Sequence, residues 1–214
     1  MSATRPRTPA PAPDAATTAS AAVAVRPLTS ARWSDLEAVF NARGCSVARG
    51  CWCMYYRVSG KGPLTRPGID QPARAKRALE ALAAKCPPPG LIGYRGKTPV
   101  GWISLGPRAD YAKLANSPVM KPVDDEPVWS IVCFVVPSEF RQQGVARQLL
   151  AGAVEYARKR GVRLLEAYPV DKAEPSARTG SWFGSRRMFD EADFREVARR
   201  RADRPLMRLR LAPD

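Results

Sequence analysis

The chain contains no histidine. Nucleophilic triads built on an imidazole base and metal centres built on imidazole ligands are thereby excluded. Cysteine is sparse and odd in number, five in all. Cys45, Cys51 and Cys53 fall close together and Cys86 could approach them, but a Cys-x-Cys pair is not the knuckle spacing that zinc uses and no second knuckle accompanies it. No metal is expected. An odd set of thiols also argues against a disulfide framework and for reduced cysteines in a cytoplasmic protein. Long apolar runs are missing as well: nothing approaches the roughly 20 residues that span a bilayer, and the first residues lack the apolar core of a secretory signal. Neither GxxxxGK(S/T) nor a GxGxxG following a strand occurs, so the two commonest nucleotide-phosphate loops are absent.

Carboxylates are outnumbered, 20 against 35 lysines and arginines, for a formal net charge of +15 over 214 residues. Such an excess invites a nucleic-acid reading, with Arg186, Arg187 and the run from 199 to 201 as phosphate contacts. No helix-turn-helix pattern or zinc finger accompanies the charge, and arginine, alanine and proline are abundant throughout, as a compositional bias would make them. Nucleic acid is not the expected partner. Residues 1–21 hold almost nothing large and apolar and are expected to form a disordered tail. Residues 22–214 are long enough to bury one sizeable core.

The most specific stretch is residues 129–161, WSIVCFVVPSEFRQQGVARQLLAGAVEYARKRG. Residues 128–136 are rich in Val, Ile, Phe and Trp and stop at Pro137, which predicts a buried strand. From Val145 onward, Val145, Ala146, Leu149, Leu150, Ala153, Val154 and Ala157 recur at three- and four-residue intervals, which predicts an amphipathic helix stopped by Gly161. Between them lies Arg141-Gln142-Gln143-Gly144-Val145-Ala146-Arg147. Backbone N–H groups there would sit at the positive end of the helix dipole and suit an anion, with Gly144 and Ala146 leaving the approach open. Residues 162–170 then read as a second strand, so strand, helix and strand predict a right-handed parallel crossover.

This loop, in its strand-loop-helix setting, resembles the (Arg/Gln)-x-x-Gly-x-(Gly/Ala) motif of the GNAT superfamily of acyl-CoA-dependent N-acetyltransferases. The resemblance implies an α/β (α+β) GNAT fold with a mixed central sheet of about seven strands, a splayed parallel pair and about four flanking helices. It also implies acetyl-CoA as co-substrate, its pyrophosphate on residues 141–147, its pantetheine arm against the backbone of Val135 and Val136, and Ser185 or Arg186 near its far end. The activity implied is transfer of the acetyl group to a primary amine by direct attack in a ternary complex. Residues 181–194, SWFGSRRMFDEADF, resemble the family's closing helix with two departures. Phe189 stands where many members carry a tyrosine that protonates the departing thiolate, and Asp193 replaces a glycine. A third departure is Ser130, which falls where many relatives carry a glutamate base.

Alternation along the second strand places Glu166 and Tyr168 on one face, a carboxylate and phenol pair that could face the amine. Glu166 could equally satisfy an arginine while Tyr168 packs. The segment 44–57, GCSVARGCWCMYYR, offers Trp52, Met54, Tyr55 and Tyr56 as walls for a small organic amine, or as a clasp over the sheet. Elsewhere the pattern predicts a strand at 22–28, a helix to Asn41, a helix at 71–86 after a turn at Pro67-Gly68, a hairpin at 91–105, a helical turn at 110–116, and two closing strands within 196–211. A non-catalytic acyl-CoA sensor, favoured by the missing glutamate and tyrosine, and a basic nucleic-acid-associated protein stand as alternatives. A homodimer is the default assembly.

Overall fold

The computed structural model describes residues 22–58, 71–172 and 181–212. The expected tail and the turn at Pro67-Gly68 lie outside the described residues. Seven strands form one sheet in the order β1-β2-β3-β4-β5-β7-β6. They are β1 (Ala24–Pro27), β2 (Gly90–Arg95), β3 (Thr98–Pro107), β4 (Trp129–Val135), β5 (Leu164–Ala167), β6 (Arg195–Arg201) and β7 (Arg204–Arg210). Every neighbouring pair is antiparallel except β4 and β5. The expected mixed sheet with one parallel pair is therefore present.

The helices are α1 (Trp33–Asn41), α2 (Ser46–Cys51), α3 (Gln71–Ala83), α4 (Ala112–Ala115), α5 (Val145–Lys159) and α6 (Arg186–Asp190). Six lie among the described residues where about four were expected, because α2 and α4 are six and four residues long and carry too little periodic sequence to announce themselves. Helix α3 stops at Ala83 instead of Cys86. Pro87 disfavours helical backbone in the residue before it, and Lys85 N–H turns back to Leu82 O at 3.0 Å in a tighter, three-residue loop. At the end of α5, Gly161 adopts φ +67°, while Gly161 N–H bonds Arg158 O and Val162 N–H bonds Ala157 O. Both bonds of a Schellman stop are thus in place.

The sheet is packed on both faces. Leu36, Val39 and Phe40 of α1, with Leu79 of α3, meet Ile92, Trp102, Val132 and Tyr168 on one face. On the other, Leu149, Leu150, Ala153 and Ala157 of α5 meet Val100, Ile103, Ile131 and Leu165. Strand β4 carries an irregularity that strict alternation did not foresee. Ser104 pairs with Cys133 and Leu105 with Ile131, so Val132 is an extra residue, a β-bulge. Val132 and Cys133 consequently both join the α1 face, while Ile131 and Phe134 point to the α5 face. Pairing of β4 with β5 ends at Ile131 and Ala167, so the strands part where the bulge begins.

Candidate active site

The 141–147 loop is built by two left-handed residues, Gln142 at φ +59° and Gly144 at φ +73°. Gly144 is the N-cap of α5, so the first N–H groups of a 15-residue helix have no intrahelical partner. The named side chains of the loop mostly brace it. Arg141 donates through Nε to Val136 O at 2.9 Å and through a terminal nitrogen to Gly44 O at 2.6 Å. Gln143 donates to Glu139 O at 2.6 Å while Arg95 holds its carbonyl at 3.1 Å. Val145 is buried in the core. What the loop offers a ligand is therefore backbone, with the helix dipole behind it, and that fits a pyrophosphate.

Across the parting strands, the chain beyond β5 turns to a new neighbour. Val170 bridges Ser185 in parallel, accepts from Arg186 N–H and donates to Gly184 O, each at 3.0 Å. Ser185 caps α6, its hydroxyl accepting from Met188 N–H at 3.3 Å. Arg186 is ion-paired with Asp171, Asp190 and Glu196. Arg147 shares Glu191 with Arg187, both at 2.7 Å, which ties the first turn of α5 to the end of α6. The loop and α6 thus flank the gap. The side chains of Arg147, Ser185 and Arg186 all have partners within the chain.

Glu166 and Tyr168 share a face, as alternation required, and both are buried. Glu166 accepts from Arg108, from Arg208 Nε at 2.9 Å and from the Tyr168 hydroxyl at 2.5 Å. Tyr168 also lies 2.6 Å from Arg108 and 2.9 Å from Ser130 Oγ. Burial, and then the charge of Glu166, push the phenol of Tyr168 well up from its ordinary range, so it stays protonated. Glu166 is therefore the anchor of a buried ion cluster. Tyr168, one residue past the last β4–β5 pair, stands at the mouth of the gap.

The aromatic segment divides. Trp52 and Cys53 adopt φ +46° and +51°, a turn that drives Trp52 inward to stack on Phe40 at 4.9 Å and Trp33 at 5.8 Å. Trp52 and Met54 are core residues. Trp52→Ala should cost about 3–5 kcal/mol of stability, measured by denaturant unfolding, as other buried Trp truncations do. Tyr55 and Tyr56 line a cavity of about 340 Å³, whose other walls include Lys113, Asn116, Ser117 and Met120. Those four follow β3 in a polar stretch that sequence patterning did not single out. The wall they form is strapped down by arginines: Arg108 on Met120 O at 2.5 Å, and Arg200 on the carbonyls of Val119, Lys121 and Pro122. Asp124 and Glu126 pair with Arg208 and Arg210, which holds both carboxyls below their usual range. A larger groove of about 540 Å³ between β1 and α5 is lined by none of the expected site residues.

Residues 62–179, more than half of the 214, match the model of the acetyltransferase (GNAT) family. The chain belongs to the GNAT acetyltransferase family. Its fold is similar to that of a ribosomal-protein-alanine N-acetyltransferase from Brucella melitensis, 20% identical, covering 88% of this chain and 99% of that one with a TM-score of 0.50. It is also similar to an agmatine N-acetyltransferase, 10% identical over 88% and 99% with a TM-score of 0.51. A chain of the NatC complex bound to Gag peptide and CoA gives 12%, 89%, 99% and 0.50. At these identities the likeness is one of fold. No curated protein matches the sequence.

Two positions set this GNAT chain apart from the resemblance drawn above. Phe189 is fully buried, edge-on to Phe194 at 5.1 Å and to Phe134 at 6.2 Å, so α6 buries a hydrophobic plug at this position. Asp193 takes φ +62°, the backbone that a glycine would adopt freely. Among the described residues, no group of three or more acidic or sulfur ligands could hold a metal. No helix among them is long and apolar enough to cross a membrane.

Proposed function

We propose that the protein transfers the acetyl group of acetyl-CoA to the primary amine of a small-molecule acceptor, by direct attack in a ternary complex. One observation carries this reading: a left-handed Gly144 opens the N-terminus of a long helix beside the point where β4 and β5 part. Acetyl-CoA, when bound, supplies an activated thioester carbonyl. The backbone donors of residues 141–147 hold its pyrophosphate, and the main chain of Val135 and Val136, beyond the last β4–β5 pair, is the edge offered to its pantetheine arm. Positioning two substrates is most of the catalysis required. The neutral amine attacks the carbonyl carbon, the C–S bond breaks, the amine proton passes to water, and the thiolate takes a proton. Tyr168, kept neutral by burial, is the donor for that last step: Glu166 positions it, its hydroxyl hydrogen turns from Glu166 to the thiolate, and water returns a proton to the phenolate before the next turnover. The five free cysteines suit a cytoplasmic place of action.

Calorimetry with acetyl-CoA, followed by CoA release against a panel of amines, tests the reading. Binding and turnover support it; absence of binding overturns it. Tyr168→Phe should lower kcat by about 100-fold or more, the usual yield of a positioned acid, with KM for acetyl-CoA little changed. Unchanged kcat would reduce Tyr168 to packing. One observation favours a second reading, an acyl-CoA-binding module without turnover: the buried Phe189 plug donates no proton. CoA binding with no release on any amine would establish that alternative.

A further inference from the structure

The 340 Å³ groove is the one cavity among those described that the expected acceptor residues line. Tyr56 lies 5.5 Å from Phe183. At Met120 the groove joins the buried ion cluster, since Arg108 holds that carbonyl at 2.5 Å and lies 2.6 Å from the Tyr168 hydroxyl. The groove's outer end carries a single charge. Lys113 Nζ sits 3.5 Å from the centroid of the Tyr55 ring, and Lys113 N–H bonds Tyr56 O at 3.1 Å, which fixes α4 to the aromatic segment. No carboxylate lines the groove; Asp110, three residues before Lys113, is taken by Arg57 at 3.4 Å. Lys113 has no ion-pair partner among the described residues, although burial strips some of its water and lowers its pKa. A partly desolvated ammonium with only a π face to compensate it is a poor stabiliser of the fold and a good receptor for an anion. A groove with these walls repels a polycation at its outer end.

We infer that the acceptor is an amine carrying an anionic group at its far end, a carboxylate or a phosphate, with the chain lying along Tyr55 and Tyr56 and the anion on Lys113. The inference rests on the transferase reading above and narrows its acceptor class. A groove of this volume takes a compact molecule, since drug-sized pockets run upward from about 300 Å³.

The test compares three acceptors of equal chain length, an amino-carboxylate, a diamine and a plain alkylamine, with the full-length protein saturated in acetyl-CoA. The amino-carboxylate should exceed the diamine about tenfold in kcat/KM, mainly through KM, as a partly desolvated charge-assisted contact would give. Lys113→Glu should invert that order and Lys113→Arg should keep it. An amino-phosphonate in place of the amino-carboxylate distinguishes the two anionic groups. A wild-type preference for the diamine overturns the inference while leaving the transferase standing, and so does a preference that Lys113→Glu fails to move. Acetyl-CoA binding with no turnover on any of the three overturns both.

Discussion

Gly144→Val should lower acetyl-CoA affinity by roughly 100-fold or more, measured by calorimetry. The residue occupies φ +73° as the N-cap of α5. A β-branched side chain there costs of the order of 1–3 kcal/mol in backbone strain, and relief of that strain means moving the loop itself. The loss is amplified because the donors of the first helical turn are the ligand contacts: a shift that is small for the fold is large for an anion held at hydrogen-bond distance. Gly144→Ala should weaken binding less. Melting should fall by only a few degrees in either variant, because Arg141 and Gln143 brace the loop through carbonyls that the substitution leaves in place. Full affinity in the valine variant would mean that CoA is held elsewhere.

Glu166→Leu should be as damaging to stability as the truncation of Trp52. The carboxylate is fully buried and bonds two guanidinium groups, those of Arg108 and Arg208, whose side chains are only 14% and 9% exposed. Removing the anion leaves two cations facing one another in a site largely closed to water. Breaking a buried pair in this way costs about 3–5 kcal/mol. For a domain of this size that is a fall of about 10 °C or more in melting temperature, read by calorimetric scanning. Glu166→Gln keeps the hydrogen-bond acceptor and should lose less. Arg208 retains Asp124 at 2.6 Å and is spared complete isolation, so the strain should concentrate on Arg108 and the Met120 carbonyl that it holds. A melting temperature unchanged by Glu166→Leu would contradict the buried cluster.

What could be read from the sequence is what local patterning encodes. The α5 helix, its Gly161 stop and the loop at Gly144 each depend on residues within a few positions of one another, so period and turn chemistry sufficed. The bulge at Val132 and Cys133 was hidden because β4 is buried on both faces and from Ile131 onward reads as an unbroken apolar run, with no polar residue there to mark a change of face. Trp52 and Tyr55 looked alike as aromatic residues of one segment. Two successive left-handed residues, neither of them glycine, send the first into the core and leave the second exposed. Alternation put Glu166 and Tyr168 on one face but could not supply Arg108, from the turn just after β3, or Arg208, from β7, which lie 58 and 42 positions away. The proposed acceptor wall at Lys113 to Met120 was illegible for the same reason: its sequence is ordinary, and only tertiary pairing brings it to the groove.

Arg108 apart, the arginines that strap that wall and the stretch just after it come from the last two strands, 78 to 84 residues further along the chain. Translation delivers the chain from its N-terminus, so α5 and its loop emerge from the ribosome before Arg200, Arg208 and Arg210 do. The two halves of the proposed site are therefore finished in sequence, the loop at Gly144 first and the groove at Lys113 last. A nascent chain stalled before β7 would carry the proposed CoA loop but lack Arg208 and Arg210, the partners of Asp124 and Glu126.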